Sequence, residues 1–192
     1  MATVRFARAA WSLVLCAALT AASAQAQMMT GHGHGMMHGP GGMGHDEAAM
    51  PGLRGLDATP QESAEMAVMF RHFDLIDRSV ETLPDGIRTV TNARDPEVMA
   101  ALVGHVTGMI ARVEEGRDPQ VFIQSPTLDI FFARGDRIET QIDISDAGIV
   151  VTQTSDDPEL VEALHVHAAE VTAMAERGMQ AVHEMMMKRA GN

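Results

Sequence analysis

One stretch of this 192-residue chain occurs twice. Residues 85–116, "DGIRTVTNARDPEVMAALVGHVTGMIARVEEG", lie over residues 147–178, "AGIVVTQTSDDPELVEALHVHAAEVTAMAERG", at a constant offset of 62 with no gap. Gly86 meets Gly148, Asp95-Pro96 meets Asp157-Pro158, Leu102 meets Leu164, His105 meets His167, and Gly116 meets Gly178. Upstream the same offset pairs Phe70 with Phe132, Ile76 with Ile138 and Val80 with Ile142. Self-similarity of this kind marks a duplicated structural unit. Any fold proposed for the chain must therefore be buildable twice, and an approximate twofold axis between the copies is the natural way to join them.

Each copy carries the same physical signals. "SVETLPDGIRTVTN" and "IETQIDISDAGIVVTQT" alternate apolar and polar residues around Asp-Gly or Asp-Ala-Gly, the pattern of a β-hairpin. A helix should follow each, because Asp95 or Asp157 can cap it, Pro96 or Pro158 suits its first position, and Glu97 or Glu159 favours the positive end of its dipole. Gly116 and Gly178 fit helix stops, although the second helix can also be read as continuing through "MQAVHEMMMKR". "TPQE" at 59–62 has the form of a capping box for a helix before the first hairpin, and "SPTLDIFF" reads as its shorter counterpart. The expected fold class is α+β, with internally duplicated αββα units whose hairpins form an antiparallel sheet covered by helices. The repeats run over about 58–116 and 125–178 within a domain spanning 58–192.

On the two long predicted helices, three-and-four spacing puts the paired histidines on the apolar faces. Val98, Leu102, His105, Val106, Met109 and Val113 form one stripe; Leu160, Leu164, His167, Ala168, Val171 and Ala175 form the other. A single histidine on an apolar face is ordinarily a core residue bonded to backbone. Two related by a twofold axis are different, since the matching faces meet and bring both imidazoles together. Met109 lies one turn after His105, and His72 ends the first predicted helix where the second copy has Arg134. A buried His72/His105/His167 site with Met109 nearby is the expectation, with imidazole suiting copper, zinc, iron and nickel alike.

The region before the domain has a different composition. Residues 1–26 have Arg5 and Arg8, then "AAWSLVLCAALTAA", then small residues ending in "ASAQA", the layout of a secretory signal peptide cleaved after Ala24 or Ala26. The apolar run is too short for a membrane span, so none is expected after the signal is removed. Removal takes away the only cysteine, Cys16, and leaves 12 basic against 26 acidic residues, a net charge of −14. Such a chain is a poor partner for nucleic acid and is expected in the periplasm or otherwise secreted.

Residues 27–57 read as a flexible Met/His/Gly-rich tail. His32, His34, His38 and His45 interleave with Met28, Met29, Met36, Met37, Met43 and Met50, while glycine leaves the backbone free to gather side chains around an ion. Thioether sulfur is soft and prefers Cu(I), whereas imidazole also accepts Cu(II) and Zn(II). The tail resembles the Met/His-rich segments of exported copper-resistance and copper-transfer proteins. The domain, from "FRHFDLIDRSV" through "HAAEVTAMAERGMQAVHE", resembles a family of small secreted bacterial proteins; Gly86–Thr91 match its "GIRTVT" strand, Asp156–Glu159 its "DDPE" helix start, and His105-Val106 and His167-Ala168 its "HV" and "HA" helices. That resemblance supplies no reaction.

Together these features point to an exported copper-binding protein that stores or transfers the metal, exchanging it with a copper-donating or copper-accepting periplasmic protein. The alternatives are a haem protein with His105 and His167 as axial ligands, or a zinc or other metalloenzyme with an open coordination position. Enzyme chemistry has little support beyond the histidines, because no G-x-S-x-G, H-E-x-x-H, P-loop or dinucleotide motif is present.

Overall fold

The computed structural model describes residues 2–4 and 51–191. The metal-binding expectations placed on His32, His34, His38, His45, Met36, Met37 and Met43, and nearly all of the predicted signal peptide, lie outside the described residues. A three-residue strand, β1 (Ala2–Val4), pairs with one sheet edge. The elements then run α1 (Pro60–Arg71), β2 (Ile76–Leu83), β3 (Gly86–Ala93), α2 (Pro96–Glu114), α3 (Asp129–Ala133), β4 (Glu139–Ser145), β5 (Gly148–Thr154), α4 (Pro158–Arg177) and α5 (Met179–Ala190). The order αββα appears twice, as the repeat requires.

Local chemistry fixes the boundaries. The Thr59 hydroxyl accepts from the Glu62 amide while the Glu62 carboxylate accepts from the Thr59 amide, so the capping box at α1 is formed on both sides. Asp95 caps α2 and Asp157 caps α4, each with proline in the first turn. Leu83 pairs with Gly86 and Ser145 with Gly148, so both hairpins turn through two residues, Pro84-Asp85 and Asp146-Ala147. At Gly178 the backbone turns to a φ of 55° and α4 ends there. The chain that follows is helical, but as a separate helix, so the stop at Gly178 and the helical character of "MQAVHEMMMKR" both hold.

The sheet order is β4-β5-β3-β2, antiparallel throughout, with β1 added beside β4. Its central pairing, β3 with β5, carries the symmetry. Thr89 lies opposite Val151, its own counterpart at the offset of 62, and the pairings on either side exchange under the same shift, Ile87 opposite Gln153 becoming Ile149 opposite Thr91. The pseudo-twofold axis therefore passes through the Thr89–Val151 pair.

The core interlocks the two halves. Leu160, Leu164 and Ala168 of α4 pack against Ile87 of the first half's β3, while Leu102 and Ile110 of α2 pack with Ile142, Ile149 and Val151 of the second half's strands. Each long helix thus covers strands of the opposite repeat. A third cluster, Leu53 with Met66 and Ala67, takes residues 51–57 into the domain: Leu53 is buried and Gly55 forms a bridge with Val121. The folded part thus begins ahead of position 58, the boundary read from the sequence, because one leucine of the tail has an apolar surface to cover. Among the described residues no helix is long and apolar enough to cross a membrane.

Candidate functional site

Between the helices and the covered face of the sheet is a cavity of about 310 Å³. Its floor is the central strand pair around the pseudo-twofold axis, with Thr89 and Thr91 from β3 and Ile149, Val151 and Gln153 from β5. Its roof is built by α2 and α4, which bring His105 and His167 to it from equivalent positions. Met109 also lines it, as do Met66, Met69, Met174 and Met185, so five thioethers surround the space. A volume of a few hundred Å³ with mainly apolar walls and a few polar groups is the form of a small-ligand site.

The two imidazoles are in unusual surroundings. His105 is enclosed by protein, and the surface it retains faces the cavity. Burial, reinforced by the neighbouring His167 ring and only weakly opposed by Glu62, pushes its pKa down to about 4, so the ring is neutral at physiological pH. The Nδ1 atoms of His105 and His167 are both buried without a hydrogen-bond partner. The rings of Phe131 and His167 meet in a T-shaped contact with centroids 5.6 Å apart. Glu170 Oε2 stands 3.8 Å from His167 Nδ1, beyond hydrogen-bond length but within electrostatic reach. Burial alone would raise the Glu170 carboxyl; His167 and the hydroxyls of Ser125 and Thr127, which donate to Oε1 at 2.7 and 3.2 Å, hold it below the ordinary value.

The expected third histidine is placed elsewhere. His72 caps the C-terminus of α1 and does not line the cavity, so the structure brings together His105, His167 and Met109 but not His72. Its counterpart Arg134 occupies the same cap position with nearly the same backbone angles and pairs with Asp157 and Glu159 at 3.1 and 2.7 Å. That position serves the approach to the strand and the start of α4. Among the described residues no group of three or more His, Cys, Asp or Glu side chains is disposed to hold one metal ion. His165, two residues before His167, is structural. Its Nε2–H donates to the carbonyls of Gly86 and Leu83 at 2.9 and 3.2 Å and pins the first hairpin.

Two features of the site escape a reading of the sequence. Arg78 lines the cavity from β2. The signal is its parity, since Ile76, Arg78 and Val80 share one face of an alternating strand. Glu170 lies one helical turn beyond His167, at the i+3 spacing that puts a carboxylate beside a ring.

Compared with protein-family models, curated proteins and solved structures, the chain matches none of them.

Proposed function

We propose that the chain is an exported, periplasmic copper-binding protein whose Met/His tail gathers the ion and whose cavity holds it between His105 and His167. The observation that carries this reading is the convergence of two imidazoles and five thioethers on one apolar space. A buried ring nitrogen without a partner costs free energy unless a ligand reaches it, and both Nδ1 atoms are in that condition. A neutral imidazole needs no deprotonation before it binds a metal. Two imidazoles with thioether neighbours are a soft donor set, which Cu(I) prefers; zinc is usually served by thiolates, histidines and carboxylates in a closed set of four. The carboxylate beside His167, Glu170, accepts from Ser125 and Thr127 through Oε1, and its Oε2 at 3.8 Å from the ring acts on His167 through space.

The test is a competition titration with a chromogenic Cu(I) chelator on protein lacking residues 28–50. This protein is expected to keep a tightly held Cu(I) fraction that His105→Leu and His167→Leu each abolish. Copper should raise the melting temperature of the parent and not of either variant. Loss of all tight binding on removing the tail would leave the tail as the sole copper element and end the cavity reading. A Soret band in protein purified from its own periplasm would assign the imidazoles to haem iron instead.

A further inference from the structure

Arg78 is a partly buried cation without a counter-ion among the described residues. Its Nη1 donates to Thr91 Oγ1 at 2.8 Å, but its Nε is buried with no partner, and no carboxylate pairs with it among the described residues. Other arginines of the domain are paired: Arg112 with Glu62 and Asp57, and Arg134 and Arg137 both with Asp157. Burial lowers the Arg78 guanidinium to about 10, which leaves it charged at neutral pH. A charge in an apolar interior is costly unless something of opposite sign reaches it.

The repeat shows that the fold itself does not require this cation. At the offset of 62, Arg78 corresponds to Thr140 and Thr91 to Gln153. The second half makes the same cross-strand contact with neutral groups, the Gln153 amide donating to Thr140 Oγ1 at 3.5 Å. Only the first half puts a guanidinium there, and that guanidinium lines the cavity, whose other described lining residues are the two histidines, a few neutral polar side chains and, for the most part, methionine, phenylalanine and aliphatic residues, with no carboxylate among them.

We propose that the cavity binds an amphipathic monocarboxylate, with its carboxylate on the Arg78 guanidinium and its hydrocarbon body among the cavity's methionines and phenylalanines. The unpartnered Nε and the fork geometry of arginine suit a planar carboxylate held by charge-assisted hydrogen bonds. One guanidinium supplies a single positive charge, so a dianion such as a phosphate monoester would leave a negative charge buried and uncompensated. An uncharged apolar ligand would leave Arg78 unpaired. The inference rests on the sheet floor and not on the imidazoles of the roof, so it stands or falls separately from the copper reading.

The experiment uses the exported protein with its tail, stripped of lipid and metal, and measures binding by calorimetry and thermal shift. Decanoate and 2-naphthoate represent aliphatic and aromatic acids, decanol and 2-naphthol their uncharged counterparts, and inorganic phosphate the small oxyanion. At least one acid is expected to bind about tenfold or more tighter than its alcohol, the effect of one hydrogen bond to a charged group, and phosphate not to bind. Arg78→Met should erase the preference for the acid while melting, without ligand, at the parent's temperature or above, because an unpaired, partly buried charge has gone. Arg78→Lys should keep part of the preference. Equal binding of acid and alcohol by the parent, no binding of either acid, or a preference that survives Arg78→Met would overturn the proposal.

Discussion

Burial of His105 has a consequence for the metal-free domain that is separate from any ligand. Its folded pKa lies near 4 against an ordinary 6.5, so between these values the unfolded chain holds a proton that the folded chain does not. Stability therefore falls as pH drops from about 6.5 to 4, with an upper limit on the order of 3 kcal/mol, and is level above that window. In urea melts of metal-free protein, His105→Gln is expected to flatten this slope; an unchanged slope would place the acid sensitivity elsewhere. The pair Glu62–Arg112 acts lower down: the Arg112 guanidinium holds the Glu62 carboxyl at about 2 from an ordinary 4.5, so its stabilisation is present above 4.5 and is lost as pH falls toward 2. The second repeat has Gln124 and Met174 at these two positions, both against the cavity. Arg112→Met alone should cost roughly 3–5 kcal/mol by stranding Glu62, while Arg112→Met with Glu62→Gln should recover most of it, as a thermodynamic cycle of the four proteins would measure. At this scale the sequence is legible where periodicity speaks: three-and-four spacing places His105 and His167 on apolar faces, and both reach one cavity. It is less legible where the decisive fact is a missing partner, since no pattern announces that the Nε of Arg78 will find nothing to bond.

Glycine marks the limits of what each element tolerates. Gly148 opens β5 with a φ of 116°, and a Cβ there would press into the Thr91 carbonyl oxygen on the neighbouring strand. Gly108, inside α2, has nothing within 4 Å of an added Cβ. Gly148→Ala is accordingly expected to destabilise the domain by about 1–3 kcal/mol or more, and Gly108→Ala to stabilise it by roughly 0.5–1 kcal/mol. Denaturant midpoints will decide both, and a neutral Gly148→Ala would mean that the β3–β5 seam is looser than its register implies. Elements are read well from the sequence because caps are local: Thr59, Asp95 and Asp157 each bond amides within three residues of themselves. What is not local is missed. The inclusion of residues 51–57 depends on a bridge from Gly55 to Val121 and on Leu53 covering α1, contacts that no short window contains.

For the whole molecule, the tail and the domain should be separable. Deleting residues 28–50 is expected to lower the number of copper ions bound per chain while moving the melting temperature little, because a glycine-rich segment has little apolar area to bury. Equilibrium dialysis and calorimetry on the same samples check the two halves of that statement, and a large drop in melting temperature would show that the tail packs on the domain. The axis through Thr89 and Val151 has a further meaning. An arrangement in which each long helix covers the other repeat's strands is one that two separate, identical half-length chains would also form as a dimer. Such a dimer cannot tell its halves apart: a guanidinium added to one copy appears on both, and the floor would carry two like charges. Joining the halves into a single polypeptide lifts that restriction. One copy holds Arg78 and Thr91, the other Thr140 and Gln153, and the interior acquires a charged end and a neutral end, a direction in which a ligand with a head and a tail has only one way to lie.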